Sequence, residues 1–168
     1  STAALARRID EATGNIEERP EHERLGHAED VLTAWEVKAQ LGGALACYSV
    51  SQDRISLPEP RAFDSREAFA ATWAHEAIHS TGHKDRLARN MAGKFGTPSY
   101  AREELIAEMG SAILCRRLQI GSEPQEHASY LQGWIQVLKE DPRALLKALG
   151  AAKKAADLIA PEAIAEAA

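Results

Sequence analysis

The sequence has only two cysteines in 168 residues and few aromatic side chains. Cys47 and Cys115 stand far apart and form no CxxC pair, which argues against a disulfide framework. Two isolated cysteines in a chain of this size fit buried thiols in a reducing compartment better. We therefore expect a cytoplasmic location, in a bacterium or in a host cell into which the protein is delivered.

Basic charge is not in excess either, because the formal net charge is −5 at pH 7. A broad basic surface for duplex DNA or RNA is therefore not expected, and neither is direct nucleic-acid binding by this segment. No apolar run approaches the length of a membrane-spanning helix, and no charged-then-apolar segment opens the chain as a secretion signal would. We expect no membrane association.

Alanine is abundant, and apolar residues recur mostly at helical spacing, which predicts a helix-rich domain. Two runs look like strands, 44–50 and 54–57, joined by a turn at 51–53. Asp64, with Glu67 three residues later, is typical of a helix N-cap, and Asp141 before Pro142 is another. Helices are predicted over about 3–12, 28–41, 64–82, 98–119, 124–139 and 141–159. The predicted organisation is an N-terminal arm or linker over 1–27, one domain over 28–160 and a frayed tail over 161–168.

The most informative stretch is His75-Glu76-Ala77-Ile78-His79, an HExxH motif. Residues four apart share one face of a helix, so both imidazoles can bind one metal ion. Zinc is the preferred ion for such a pair, and Glu76 is placed to take a proton from a zinc-activated water. The motif therefore predicts a zinc site with Glu76 as general base.

A catalytic zinc takes three protein ligands and keeps one position open. Glu104 and Glu108 lie four residues apart on the next strong helix, so their carboxylates face the same way. One of them can bind the metal while the other accepts the free N–H of a ligand histidine. Either order is compatible with the spacing.

Two other side chains compete for the third ligand position. Asp85 completes the spacing HExxHxxGxxD, in which Gly82 lets the chain turn back onto the metal. However, Gly82 is equally well explained as a helix C-cap, and Asp85 lies in a run of charged loop residues. His83 is four residues after His79 but lies beyond Gly82, where we expect the helix to have ended, so it is interpreted as a loop or capping histidine.

An ordered series of residues accompanies the motif over positions 28–159. It comprises Tyr48, Asp53-x-Ile55-x-Leu57-Pro58, Phe63, Thr72-Trp73-Ala74-His75-Glu76-x-x-His79-x-Thr81-Gly82-His83, Arg86-Leu87, Phe95-Gly96, Tyr100-Ala101-x-Glu103-Glu104-Leu105-x-Ala107-Glu108 and Tyr130-x-x-x-Trp134-x-x-x-Leu138-Lys139. This pattern resembles the zincin-like metallopeptidase domain at the C-terminus of ArdC-type plasmid antirestriction proteins. The same domain occurs in conjugation-associated and phage polyvalent proteins.

The resemblance implies a mostly helical α+β fold of the zincin type. A small β-sheet would pack on the HExxH helix, and a C-terminal helical bundle would follow. A further resemblance, to thermolysin-like gluzincins, implies that Glu104 is the third ligand and Glu108 the outer partner of a histidine. Antirestriction members of the family also carry an N-terminal single-stranded-DNA-binding domain, which is absent here, so DNA binding is not transferred to this chain.

The function implied is that of a zinc-dependent, gluzincin-like metallopeptidase that cleaves a protein or peptide substrate. Zn²⁺ would be held by His75, His79 and Glu104, and a link to antirestriction, conjugation or other mobile-element biology is expected. By analogy with zincins, the strand over 54–57 would bind extended substrate as an added strand. The alternative is a catalytically silent zincin-fold module that binds a protein partner. The substrate, the cleavage specificity, the oligomeric state and the role of residues 1–27 are left open.

Overall fold

The computed structural model describes residues 20–121, 134–139 and 141–161. Residues 134–139 are helical, and a short 3-10 turn covers Pro60–Ala62. The predicted mostly helical α+β fold is confirmed. The elements are helix α1 (Glu21–Ala34), strands β1 (Ala39–Leu41), β2 (Cys47–Ser49) and β3 (Arg54–Leu57), and helices α2 (Arg66–Ser80), α3 (Pro98–Leu118) and α4 (Ala144–Ile159).

The three strands form one small sheet in the order β1-β3-β2, with β3 in the centre. Strand β1 pairs with β3 in parallel, and β2 pairs with β3 antiparallel. Ile55 and Leu57 alternate along β3, and both are fully buried. Because β2 and β3 also contact α2, the predicted packing of the sheet on the HExxH helix is confirmed.

Helix α2 is the central element of the domain. It begins after Ser65, whose Oγ accepts a hydrogen bond from the N–H of Ala68 at 2.9 Å and so satisfies one of the exposed amides of the first turn. Ala70, Ala74 and Ile78 are completely buried, because α1, the sheet and α3 each contact this helix. The HExxH motif is therefore built into the core of the protein.

Helix α3 packs closely against α2 at Gly110. A Cβ atom on Gly110 would lie 2.8 Å from Cγ2 of Ile78, closer than real Cβ atoms approach, so a larger residue would push the helices apart. Thr97 caps α3 by accepting the N–H of Tyr100 at 3.3 Å, and Gln119 ends it in the left-handed conformation. The close approach brings the carboxylates of α3 next to α2.

The C-terminal helices complete the bundle. Helix α4 buries five alanines, Ala144, Ala148, Ala152, Ala155 and Ala156, and their small side chains allow close packing on α3. Arg117 of α3 fixes the far end of α4 by donating to Asp157 at 2.7 Å and to the carbonyl of Ala160 at 2.8 Å. The predicted C-terminal helical bundle is confirmed. Among the described residues, no helix combines the length and apolar character needed to cross a bilayer.

The predicted helix over 28–41 is wrong at both ends. Helix α1 begins seven residues earlier, at Glu21, and Leu25 on this added turn is buried in the core. It ends at Ala34, and residues 39–41 form β1 instead, with Ala39 opposite Ile55. Trp35, just after the helix, donates from Nε1 to Oγ of Ser80 at 2.9 Å, which ties the end of α1 to the end of α2.

Other predicted boundaries shift by a few residues. The first strand covers Cys47–Ser49 rather than 44–50, whereas the second, Arg54–Leu57, is confirmed. Ser65, not Asp64, caps α2, and α2 ends at Ser80, so Gly82 is not its capping residue. The last helix starts at Ala144, later than predicted, although the carboxylate of Asp141 does accept the N–H of Arg143.

Some predictions lie outside the described residues. They concern the short helix over 3–12, the part of the fourth helix before residue 134, and the tail after residue 161.

Candidate metal centre

The helical spacing of α2 places His75 and His79 on the same side of the helix. Their ring centroids are 4.8 Å apart, and the two Nε2 atoms lie 3.1 Å from each other. At this distance the two nitrogens can share a proton in an N–H···N hydrogen bond, or both can turn their lone pairs towards one cation. The pair is therefore close enough to bind one metal ion together.

Glu104 of α3 completes the group. Its Oε1 lies 3.6 Å from Nε2 of His79, and its Oε2 lies 3.9 Å from Nε2 of His75. Within residues 20–121, 134–139 and 141–161, these three side chains form the one group able to hold a metal ion, with ligand atoms all within 4.8 Å of one another. Tetrahedral zinc, with bonds of about 2.0–2.1 Å, keeps neighbouring ligand atoms about 3.3 Å apart, so this donor set fits the ion.

Glu76 lies beside the three candidate ligands. Its side chain is buried, and it lines the same cleft as His75, His79 and Glu104. Burial raises the pKa of Glu76, and the charge of Glu104 adds to this effect, while His79 and the backbone N–H of Tyr48 act in the opposite direction. A carboxylate with a raised pKa in such a position is suited to accept and return a proton.

The cleft has a volume of about 370 Å³. Its lining includes Ala46, Cys47, Tyr48 and Val50, in and beside strand β2, and Met91 and Tyr100 from the segment around the start of α3. The prediction that Arg54–Leu57 binds substrate as an added strand is wrong, because this strand, β3, is paired on both sides and has no free edge. In the part of the chain that the structure describes, β2 is an edge of the sheet, and its residues line the cleft together with His75 and His79.

Each histidine also faces a carboxylate with its other ring nitrogen. Nδ1 of His75 lies 3.9 Å from Oε1 of Glu108, the residue predicted for this position. Nδ1 of His79 lies closer to a carboxylate, 3.2 Å from Oε1 of Glu103. Sequence reasoning did not assign Glu103 a role at the site, because only the pair at i, i+4 was expected to point at the metal.

The environment of His79 and Glu103 shifts both of their pKa values. Burial alone would lower the pKa of His79, but the contact with Glu103 and the charges of Glu76 and Glu104 outweigh it and raise this pKa. Burial would raise the pKa of Glu103, but hydrogen bonds from Arg89 and His79 lower it. Glu103 is therefore a buried carboxylate held in its ionised form.

The rival ligands Asp85 and His83 do not join the group of three. The side chain of Asp85 is 64 % exposed and pairs with Lys84 at 2.8 Å. His83 is buried, and its Nδ1 lies 3.4 Å from Oδ2 of Asp85. The structure thus brings together His75, Glu76, His79, Glu104 and Glu108, but neither Asp85 nor His83 belongs to the described metal-binding group.

The prediction of buried thiols is confirmed for Cys115 and wrong for Cys47. Cys115 is a buried free thiol in the core, whereas Cys47 is a free, exposed thiol on the wall of the cleft. The expected absence of a disulfide between them agrees with both being free.

Residues 26–153 match the family described as zincin-like metallopeptidase. The chain is a zincin-like metallopeptidase family member. The chain also matches two crystal structures of the antirestriction protein ArdC from plasmid R388, with 35% identity over 87% of this chain. The TM-score is 0.72 for the Mn(II)-bound structure, of which 54% is covered, and 0.69 for the metal-free structure, of which 52% is covered.

Curated relatives are longer proteins. The chain is 36% identical over 139 residues to the uncharacterized protein y4eC of Sinorhizobium fredii, covering 82% of this chain and 45% of the relative. It is 44% identical over 114 residues to a DNA primase TraC of Escherichia coli, covering 68% of this chain and 11% of the primase. The chain thus spans less than half the length of these curated relatives.

Proposed function

We propose that the zincin-like domain is a zinc-dependent metallopeptidase that hydrolyses a protein or peptide substrate. The observation that supports it most directly is the convergence of Nε2 of His75, Nε2 of His79 and the carboxylate of Glu104 beside the buried carboxylate of Glu76. Three ligands and an adjacent general base in an open cleft are what zinc-assisted hydrolysis requires.

His75, His79 and Glu104 would hold the metal. When bound, a divalent metal ion there supplies Lewis-acid chemistry, which acidifies water and polarises a carbonyl. A donor set of two imidazoles and one carboxylate is typical of catalytic zinc. The carboxylate of Glu108 faces Nδ1 of His75 and favours the tautomer in which Nε2 is free to bind.

Glu76 performs the proton transfers in this proposal. It takes the proton that the attacking water loses and then delivers it to the nitrogen of the departing amine. The buried position of its side chain limits competing contacts with bulk water. This assignment gives Glu76 a role in turnover but not in metal binding.

We place the substrate along strand β2. Ala46, Cys47, Tyr48 and Val50 line the cleft beside His75 and Glu76. Among the strands that the structure describes, β2 pairs with β3 alone. An extended peptide can pair with the free side as an added strand, which presents a peptide bond to the metal centre through backbone hydrogen bonds. Such binding depends little on side chains and suits a protein substrate.

The experiment compares Glu76→Gln with the wild-type chain. Zinc content is measured by elemental analysis, and cleavage is measured by mass spectrometry on a mixture of peptides. Glu76→Gln is expected to keep its zinc and lose cleavage by about 10²–10⁴-fold, since general acid–base catalysis contributes that much. Glu59→Gln, at an exposed position, is the matched control and should keep both. Wild-type cleavage that survives Glu76→Gln would exclude the mechanism.

A second candidate function is a metal-bearing binding module that cuts nothing. It is favoured by the names of the relatives, which state antirestriction or DNA priming rather than peptide hydrolysis. Those names also support a role in plasmid or other mobile-element biology. If the zinc-loaded wild-type protein cleaves no peptide, and Glu76→Gln performs as the wild type does in an antirestriction assay in cells, the binding module replaces the peptidase.

A further inference from the structure

Arg89 makes a set of contacts that its position in a polar loop did not predict. Its Nε donates to Oε2 of Glu103 at 2.9 Å and its Nη2 to Oε1 at 2.7 Å, so the guanidinium grips both carboxylate oxygens. Oε1 of the same carboxylate faces Nδ1 of His79 at 3.2 Å. Arg89 and Glu103 are both more than nine-tenths buried in their side chains.

The same guanidinium also contacts the C-terminal end of α2. Nη2 donates to the carbonyl of Ile78 at 2.9 Å, and Nη1 donates to Oγ1 of Thr81 at 2.7 Å. A cation is favoured there because the last carbonyls of a helix have no partners within the helix and carry partial negative charge. Arg89 thus joins the helix of the histidines to the carboxylate on α3.

The backbone of the loop is folded to bring Arg89 to this position. The N–H of Leu87 donates to the carbonyl of Thr81 at 2.9 Å, and the N–H of Arg89 donates to the carbonyl of Gly82 at 3.0 Å. Between them, Ala88 adopts a positive φ of 48°, which few residues other than glycine do. The strained turn directs the next side chain inwards, and such strain persists only where the surroundings enforce it.

We propose that Arg89 is a positioning residue for the metal centre that acts through Glu103 on His79. The bidentate contact with Arg89 holds Oε1 of Glu103 where it accepts the Nδ1–H of His79. This hydrogen bond fixes the imidazole ring and leaves Nε2 free for the metal. Without Arg89, the carboxylate of Glu103 can rotate, and the ring loses its fixed orientation. The inference rests on the metal site of the proposed function but not on peptide hydrolysis.

The test measures zinc affinity by competition with a chromogenic chelator, using the full chain. Arg89→Met and Glu103→Gln should each weaken zinc binding by about 10-fold or more, as outer partners of metal ligands typically do. If Arg89 acts through Glu103, the double variant should bind zinc as Glu103→Gln does. If Arg89 had a purely structural role, the fold-losses of zinc affinity in the two single variants would instead multiply in the double variant. The shape of the visible spectrum with Co²⁺ should change in both single variants.

Arg86 offers a matched control in the same loop. Its side chain is also buried and donates to a carbonyl at the end of α2, that of Ser80 at 2.7 Å, but it pairs with Asp53 and Glu36 instead of Glu103. In the double variant Arg86→Met, Glu103→Gln, the fold-loss of zinc affinity should therefore be the product of the fold-losses in the two single variants. Arg89→Lys serves if Arg89→Met does not fold, because lysine keeps the charge but cannot grip both oxygens.

The outcomes separate this inference from the proposed function. Zinc affinity of Arg89→Met within twofold of wild type, or losses that multiply with Glu103→Gln, would overturn the role of Arg89. A wild-type chain that binds no zinc would overturn both proposals. A wild-type chain that binds zinc but cuts no peptide would remove only the peptidase.

Discussion

The missing side chain of Gly82 makes room for the guanidinium of Arg89. A Cβ atom on Gly82 would lie 2.9 Å from Nη2 of Arg89 and 2.6 Å from Sδ of Met91. Helix α2 ends at Ser80 with Thr81 as its cap, and Asp85 lies outside the group of His75, His79 and Glu104, so neither role expected for Gly82 applies. Gly82 instead allows a loop residue to reach the carboxylate that holds His79.

Gly82→Ala should consequently weaken the metal site without touching a ligand. The added methyl group displaces Arg89 or Met91, and displacement of Arg89 loosens Glu103, so we expect zinc affinity to fall by several-fold, up to about 10-fold. Overpacking should also lower the free energy of unfolding by about 1–3 kcal/mol. Both are measured on the same sample, by chelator competition and by urea unfolding in EDTA.

Gly26→Ala is the control for this substitution. Gly26 lies in α1 with no atom within 4 Å of an added Cβ, so alanine there should stabilise the helix by about 0.5–1 kcal/mol and leave zinc affinity unchanged. Equal zinc affinity in Gly82→Ala and wild type would show that Gly82 does not provide this space.

The elements that carry the site were predictable because their signals are local. The spacing of apolar residues in α2 and α3 lies within each helix, and the i, i+4 rule places His75 beside His79 without any tertiary information. Strand β1 gave no such signal. It has three residues, it continues the helical spacing of α1, and its pairing of Ala39 with Ile55 depends on a strand much later in the chain.

Helical periodicity alone could not assign the carboxylates to the histidines. The resemblance to gluzincins supplied the roles of Glu104 and Glu108, and the contact of Glu103 with His79 was missed. Glu103, Glu104 and Glu108 share one helix, and which of them meets which nitrogen depends on how α3 crosses α2. At the crossing the helices approach closely where Gly110 packs against Ile78, a pair far apart in sequence. Periodicity therefore selects the acidic helix but not the role of each acid.

The third ligand can be identified by comparing three substitutions. Glu104→Ala removes a side chain 3.6 Å from Nε2 of His79 and should weaken zinc binding by more than about 100-fold, beyond the effect of losing an outer partner. Glu108→Ala should lower zinc affinity only about 10-fold. Asp85→Ala, at an exposed loop position, should bind zinc as wild type does. A large loss in Asp85→Ala together with a small loss in Glu104→Ala would instead assign the site to the HExxHxxGxxD class.

The two free thiols should differ sharply in reactivity. Burial raises the pKa of Cys115 to about 11, so its thiolate is scarce and inaccessible at neutral pH, whereas Cys47 is exposed. Iodoacetamide at pH 7.5 should modify Cys47 alone in the native protein and both cysteines in urea, as read by peptide mass spectrometry.

Because Cys47 lines the cleft, a bulky maleimide should slow peptide cleavage without removing zinc. Cys47→Ser should abolish both the labelling and the inhibition; inhibition that persists in this variant would locate the effect elsewhere.

Asp53 should make the protein less stable in acid. Hydrogen bonds from Arg86 and from Tyr48 outweigh partial burial and lower the pKa of Asp53 below its usual 3.8. A lowered pKa in the folded state contributes stability above the unfolded-state value, and this contribution is lost as pH falls through the folded-state value. The free energy of unfolding in urea should therefore decline between pH 5 and pH 3.

Asp53→Asn should reduce stability at pH 7 by about 1 kcal/mol, since the pair remains partly exposed, and should flatten the decline in acid. Asp30→Asn, at an exposed position of α1, should keep the wild-type slope, and an unchanged slope in Asp53→Asn would show that the Arg86 pair does not couple folding to pH.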